Sequence, residues 1–377
     1  MSDMRGGNTL GDLVSIRTGK LDVNAGSVDG RFPFFTCARE TQGIDTAAFS
    51  GEAVIVAGNG DLNVKYFEGE FNAYQRTYVM QKKPNSEVTM KYIFLFLEKY
   101  IETLRANSSG SVIKYIKLPD LRDAEVSLPP LPVQRRIVDL MAHLDNHLAN
   151  LRAEGKAAER IIEALAREPW RSLENSQRVG DCGRVITGST PSTKNSTYWD
   201  LPSTPFVTPG DIGGLGYVNG TSRYVSSEGV RVSRPISKNS VMVVCIGATI
   251  GKVGVATQTC VTNQQINSVT DMSASDAFFL ALVLSAPEGQ NSLTSKSGQT
   301  AVPLLNKSQF SSVLIPWPSG EERQRVGHLG RQAVAIRDAL ALEVQGASAL
   351  RGALLSHLIS GSSLILPDYD SLLSEVA

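Results

Sequence analysis

The sequence predicts an α+β chain: two unlike lobes of mixed β-structure with short helices, separated by two long antiparallel coiled-coil helices and related by an internal pseudo-twofold repeat. Three observations predict it. Pro129, Pro130 and Pro132 are followed by a window free of proline up to Pro169. Proline lacks the amide donor and clashes with the preceding turn, so helix is barred before that window and allowed through it. Within the window Ile137, Met141, Leu144, Leu148, Leu151, Gly155, Ala158, Ile162 and Leu165 recur in alternating steps of four and three. That is the seam of a helix laid along a partner helix. Finally, the whole pattern occurs twice.

In the second copy Ile315-Pro316-Trp317-Pro318 repeats the proline stop, and Glu321 to Val326 echoes Gln134-Arg135-Arg136-Ile137. Val326, Leu329, Ala333, Ile336 and Leu340 form a second seam, which slips near Glu343 and Val344 and resumes at Ala347, Leu350 and Leu354. The blocks ahead of the two helices also match. Leu10-Gly11-Asp12 with Thr18-Gly19 returns as Val179-Gly180-Asp181 with Thr187-Gly188. Val54-Ile55-Val56 then Gly60 returns as Val241-Met242-Val243 then Gly247, Tyr74-Gln75 as Asn263-Gln264, and Ser109-Gly110 as Ser297-Gly298. Each match alone is weak, but their common order and nearly constant offset mark a tandem duplication. The boundaries read from it are 1–127 and 173–315 for the lobes, 128–172 and 316–360 for the helices, and 361–377 for a tail.

Taken in order, the first lobe opens with short strands. Val54-Ile55-Val56 and Tyr78-Val79-Met80 are apolar, mostly β-branched triplets, and Gly58-Asn59-Gly60-Asp61 between them is turn chemistry. A helix is predicted from Thr89 to about Arg105, with Ile93, Leu97, Tyr100, Ile101 and Leu104 on one face, ending at Asn107-Ser108-Ser109-Gly110. The first long helix covers roughly 35 residues, about 50 Å at 1.5 Å per residue. Its Arg135, Arg136, Arg152, Arg160 and Arg167 are interspersed with Asp139, Asp145, Glu154, Glu159 and Glu163, as on an exposed, ion-paired face. His143 and His147 stand four apart without a third ligand nearby, so no metal is expected.

The second lobe has buried strands at Val241–Ile246 and Val253–Val255 and a helix over Ala274–Ser285, closed by Pro287. The Gly247-Ala248-Thr249-Ile250-Gly251-Lys252-Val253 stretch between its strands is not a phosphate-binding loop. It has three residues between the glycines instead of four, and Val253 stands where a magnesium-binding hydroxyl is required.

Composition narrows the function. Hydrophobic content of 42% and charged content of 20% are those of an ordinary soluble chain. The N-terminal residues carry no leader pattern and the strongly apolar run Tyr92–Leu97 is far too short to span a bilayer, so a cytoplasmic protein is expected. Cys37, Cys182, Cys245 and Cys260 have no paired spacing. Lys plus Arg and Asp plus Glu both total 37. A free-standing DNA binder usually carries a basic surplus, so strong autonomous binding to DNA is disfavoured. No glycine-rich cofactor loop, aminomethyltransferase tetrapeptide or nuclease lysine beside Pro119-Asp120 and Glu125 is found. The chain reads as non-catalytic.

The order of elements, the stretch Leu128-Pro129-Pro130-Leu131-Pro132-Val133-Gln134-Arg135-Arg136-Ile137 and the Gly-Asp and Thr-Gly openings of both blocks resemble the specificity subunit of type I restriction–modification enzymes. The resemblance covers nearly the whole chain; the second proline stop departs from it at Trp317 and Gly320. It implies that the lobes are target-recognition domains reading an asymmetric, bipartite double-stranded DNA target. It also implies assembly with two modification (methyltransferase) subunits and two restriction (motor–nuclease) subunits. No cofactor is then expected in this chain; S-adenosylmethionine, ATP and Mg²⁺ belong to those partners. Two alternatives stay open: a DNA reader in a related methylation or phage-defence system without a nuclease, and a coiled-coil adaptor that binds no DNA.

Reading bases requires amide, guanidinium and aromatic groups at loop tips. In the first lobe the candidates are Arg17, Lys20, Arg31, Arg39, Asn59, Lys65, Tyr74, Gln75, Arg76 and Lys114. In the second they are Thr187, Lys194, Lys252, Asn263, Gln264, Gln265, Lys296, Gln299 and Thr300. For each, the competing reading is a solvated surface residue or a turn former.

Overall fold

A computed structural model describes residues 5–107, 115–201, 203–296 and 303–361. The chain divides into two compact units, Met1–Ala149 with Gln345–Ala377, and Asn150–Val344. The division falls inside both long helices, so each unit holds one lobe and a part of each helix. The fold is α+β throughout. Among the described residues no helix is long and apolar enough to cross a membrane.

The first unit begins with β1 (Arg5–Thr9), α1 (Leu10–Leu13), β2 (Val14–Thr18), β3 (Phe32–Phe35), β4 (Gln42–Ile44), β5 (Phe49–Ala57), β6 (Val64–Ala73) and β7 (Thr77–Lys82). After α2 (Met90–Asn107) come α3 (Leu118–Arg122), β8 (Glu125–Leu128) and the first long helix, α4 (Leu131–Arg167). Six strands form one sheet in the order β2-β7-β5-β6-β3-β4, and β1 pairs with β8 beside it. The β-branched run Val54-Ile55-Val56 is fully buried because alternate residues feed two cores. Val54 and Val56 face α2, while Ile55 joins Phe35, Phe71 and Val79. The predicted face of α2 is buried through Ile93, Leu97, Ile101 and Leu104. Ile137 and Met141 of α4 share this core with Leu355, Leu358 and Ile359 of the second long helix, α9 (Gly320–Ile359).

The second unit repeats the plan. Its elements are β9 (Ser176–Arg178), β10 (Arg184–Thr187), β11 (Thr204–Val207), β12 (Tyr217–Val218), β13 (Tyr224–Val225), α5 (Ser227–Arg231), β14 (Pro235–Ile236), β15 (Val241–Val244) and β16 (Val253–Ala256). There follow β17 (Cys260–Thr262), β18 (Ile266–Thr270), α6 (Ala274–Ser285), α7 (Pro287–Thr294), α8 (Lys307–Ser311) and β19 (Leu314–Pro316). The order β10-β18-β15-β16 reproduces β2-β7-β5-β6, and the β19–β9 pair reproduces β8–β1. Where the first unit has one long β6, the second has two strands, β16 and β17. The latter joins a separate sheet, β13-β11-β17-β14. Every residue of α6 from Ala277 to Leu284 is buried; it packs against β15 and β16 on one side and α9 on the other, so its apolar character runs all round.

The proline stops act as predicted, with one refinement: α4 starts at Leu131, so Pro132 lies in its first turn, where no intrahelical donor is needed. The seam of α4 is buried at Ile137, Met141, Leu148, Leu151, Ala158 and Ile162, and half-buried at Leu144 and Leu165. That of α9 differs from the heptad reading. Val326 and Ala333 are buried and Leu340 and Leu354 half-buried, but Leu329, Ile336 and Leu350 are 40%, 55% and 53% exposed. Beside Val326 and Ala333, α9 buries Gly327, Gly330 and Val334. A Cβ on Gly327 would come within 2.1 Å of the Ser275 carbonyl oxygen, and one on Gly330 within 2.3 Å of Leu282 Cδ1. Helices approach this closely only over small residues, which a count of large apolar side chains overlooks. Leu329, Ile336 and Leu340 line an open apolar groove with Ala157, Ile161 and Leu165 of α4.

Gln134, in the proline-stop motif, is fully buried. Its amide donates to the carbonyls of Pro129 (2.8 Å) and Glu87 (2.9 Å), and its Oε1 accepts the Thr89 N–H (2.9 Å). Every polar atom is satisfied, so the start of α4 is tied to the entry of α2. In the second copy Arg323 fills this role. It donates to the carbonyl of Pro318, again five residues back, and to Asp276 of α6, with its guanidinium over Trp317.

Candidate nucleic-acid interface

In the first unit four connections are tied together by backbone hydrogen bonds. Gly19 N–H donates to Thr77 O (3.3 Å), Gln75 N–H to Leu21 O (2.9 Å), Tyr74 N–H to Phe35 O (2.9 Å) and Gly58 N–H to Arg76 O (2.9 Å). Asn59 forms a bridge with Tyr115. The loops after β2, β3 and β5 thus converge on the β6–β7 turn, Tyr74–Arg76. The Thr-Gly opening acquires a physical reason here: a Cβ on Gly19 would lie 1.8 Å from the Ala73 carbonyl oxygen.

The second unit reproduces the network with different residues. Gly188 N–H donates to Ile266 O (3.0 Å), Ser189 N–H to Thr262 O (2.8 Å), Asn263 N–H to Val207 O (3.1 Å) and Cys245 N–H to Gln265 O (2.7 Å). Ile246 bridges Leu304 as Asn59 bridges Tyr115. A Cβ on Gly188 would meet the Asn263 carbonyl oxygen at 2.1 Å. Between Gly247 and Gly251, both at positive φ, the chain makes a turn joining β15 to β16, as its spacing required.

The candidate side chains divide by what they touch. Lys20, Gln75 and Arg76 are exposed at the convergence, with Tyr74 half-buried beside them. Arg39 is exposed but paired with Asp61 (2.6 Å), which Arg105 also approaches. Lys65 is occupied elsewhere than sequence reading places it: its ammonium donates to the carbonyls of Ala38 and Thr36 and braces that loop from beneath. Burial lowers its pKa. Arg17 donates to Gln81 and lies over Phe49, and Arg31 lies over Phe32 at the far end of β3, away from the converging loops.

In the second unit the Asn263 amide donates to Gln265 Oε1 (2.9 Å) and its oxygen accepts Gln265 N–H. These two amides hold the turn, leaving Gln264 exposed at its tip, where it accepts from the Thr190 hydroxyl. The Thr187 hydroxyl donates to Asn267. Lys194 and Lys296 are exposed and Lys252 is half-buried on the glycine-bounded turn. Lys114, Gln299 and Thr300 lie outside the described residues.

Two arginines outside the sequence candidates stand beside these loops. Arg234 donates to Thr187 O and borders an open, basic recess with Arg184 and Lys307. Arg223 lies over the rings of Trp199 and Phe206. Neither carries a local sequence signal, because the partners are remote along the chain.

Burial pushes the thiols of Cys182, Cys245 and Cys260 up to about 12, 11 and 12, so these remain protonated and unreactive at neutral pH. Among the described residues no three His, Cys, Asp or Glu side chains are placed to hold a metal ion. His143 contacts the Asp139 carbonyl of its own helix.

Comparison with known proteins gives the assignment. The model of the type I restriction modification DNA specificity domain matches twice, at residues 8–159 and 174–329. The chain is 26% identical to the type I restriction enzyme EcoDI specificity subunit of Escherichia coli, over 90% of this chain and 83% of that protein. It is 34% identical to the HindI specificity subunit of Haemophilus influenzae, there over only 38% of this chain and 31% of the relative. In fold it is similar to the type I restriction–modification S subunit from M. genitalium, with a TM-score of 0.67 at 15% identity, covering 93% of this chain and 95% of that one. With the domain model matching both lobes, each on the same loop framework, the chain belongs to the type I restriction–modification specificity subunits, the non-catalytic, sequence-specific DNA-binding components of those systems.

Proposed function

We propose that each lobe reads one half of an asymmetric, bipartite double-stranded DNA target through its converging loops, and that the two long helices pair as an antiparallel coiled coil that sets the unread gap. One observation carries this reading: a repeated backbone network presents unlike side chains, Lys20, Tyr74, Gln75 and Arg76 in one unit and Thr190, Gln264 and Lys194 in the other. A pseudo-twofold relation would turn the lobes in opposite senses on the duplex, as in dimeric readers of paired half-sites. The lobes would be 1–127 and 173–315, the spacers 128–172 and 316–360. A helix of the length of α4, 37 residues, spans about 55 Å, or roughly 16 base pairs.

Two modification subunits and two restriction subunits are the proposed partners, supplying S-adenosylmethionine, ATP and Mg²⁺ chemistry in the cytoplasm. The balance of 37 basic and 37 acidic residues supports a shared electrostatic grip on DNA. The apolar groove lined by Ile161, Leu165, Leu329 and Ile336 is the proposed seat of a partner subunit, since exposed apolar surface of this kind marks protein interfaces. Replacing residues 179–312 by the equivalent block of another member, and sequencing the methylated sites, tests the modular reading. One half of the motif should change; a change in both halves or in neither defeats it.

A further inference from the structure

We propose that Arg223 is a specificity-determining residue of the second lobe and that it reads a guanine in that lobe's half-site. The inference rests on the DNA-reading function proposed above and adds the base and the side chain. The Arg223 guanidinium carbon lies 4.3 Å from the centre of the Trp199 ring and 5.1 Å from that of Phe206. The two rings meet edge to face at 5.3 Å, and the Trp199 indole N–H donates to the Ser192 carbonyl (3.2 Å). An exposed side chain is thereby laid against a fixed aromatic wall. Its backbone is fixed too: Arg223 O accepts Phe206 N–H (2.9 Å), and the Thr221 hydroxyl donates to Phe206 O (2.7 Å).

The location fits a reader. Phe206 precedes Val207, whose carbonyl receives Asn263 N–H at the loop convergence. The segment that carries Trp199 starts at Thr190, which donates to Gln264 at the tip of that convergence. The charge is also available. Arg39, Arg184, Arg231, Arg323, Arg337 and Arg351 each have a carboxylate partner, whereas among the described residues none is paired with Arg223. Nearby Glu228 is taken by Arg231, and Asp211 accepts from Thr208 and Ser222.

A phosphate contact asks only for a cation, and a mobile lysine would serve. A guanidinium already held over two aromatic rings loses less freedom on binding than a free one. Its two parallel donors match O6 and N7 of guanine, the commonest base-specific contact in the major groove.

The test uses the full-length chain assembled with its methyltransferase subunits, as wild type, Arg223→Lys and Arg223→Gln, acting on a randomised duplex library read by methylation sequencing. Lysine keeps charge and stem without the fork; glutamine keeps a planar head without the charge. Assembly and melting temperature of each variant are recorded, so either variant that folds decides the matter. The expected result is a 10- to 100-fold loss of preference at one guanine position of the second half-site, with the first half-site unchanged. A uniform loss at all positions with a shallower salt dependence would identify a phosphate contact and overturn the proposal. So would an unchanged motif, or a wild-type second half-site with no guanine on either strand. A wild-type complex that methylates no bipartite motif would bring down the underlying reading, and this assignment with it.

Discussion

Removing the Arg351 guanidinium should loosen the first unit at the point where three helices meet. Arg351 of α9 donates to both oxygens of Glu98 on α2 (2.9 and 3.0 Å) and both of Asp145 on α4 (2.5 and 2.9 Å). Its side chain is only 14% exposed, against 35% and 49% for the carboxylates. Arg351→Met keeps the buried stem and deletes the charge, leaving two carboxylates facing each other without a counter-ion. Truncating one member of a fully buried pair costs about 3–5 kcal/mol, while an exposed pair contributes about 0.2–1 kcal/mol. With the arginine buried and the acids part-hydrated, the loss should be about 2 kcal/mol. For a domain of this size that lowers Tm by about 4–8 °C. Adding Glu98→Gln and Asp145→Asn should recover part of the loss, because the uncompensated charges disappear with their partner. Thermal unfolding followed by circular dichroism measures both. A single variant melting within about 1 °C of wild type, or a triple variant worse than the single, would show that the clamp contributes nothing.

Gln134→Leu should cost about 2–4 kcal/mol, since the Thr89 N–H and the Glu87 and Pro129 carbonyls lose their buried partner; urea unfolding at constant slope checks it. Gly19→Val should abolish recognition of the first half-site while leaving that of the second, because the added side chain collides with the Ala73 and Tyr74 carbonyls at the start of the β6–β7 turn. Methylation sequencing of the assembled complex reports this, and retained first-half specificity would contradict it. Native protein treated with iodoacetamide at pH 8 should leave Cys182, Cys245 and Cys260 unmodified, their thiols being held up to about 12, 11 and 12 by burial. Mass spectrometry before and after denaturation gives the answer; rapid native labelling of Cys245, almost wholly buried, would refute the packing of the second lobe.

The features legible in the order of residues arise from interactions local along the chain. Proline stereochemistry placed the starts of α4 and α9. Heptad spacing identified α4 and most of its buried stripe, and the order of Thr-Gly, valine-rich and Ser-Gly marks disclosed a duplication that the sheet orders β2-β7-β5-β6 and β10-β18-β15-β16 reproduce. Tertiary structure alone decided which side chains were already spoken for. Lys65 looks like a free cation until the Thr36 and Ala38 carbonyls close over it, and Asn263 and Gln265 look like base readers until each is seen to bind the other. Leu329 and Ile336 count as core by periodicity. Yet α9 buries Gly327 and Gly330, because backbone approach to α6 is limited by Cβ atoms and not by hydropathy. Arg223 has no signal of its own. It is held over an aromatic ring only when β11 and β13 pair and the loop after β10 brings Trp199 beneath it. Helix and strand are set by neighbours along the chain, whereas the availability of a charged or amide group is set by partners that only folding brings within hydrogen-bonding range.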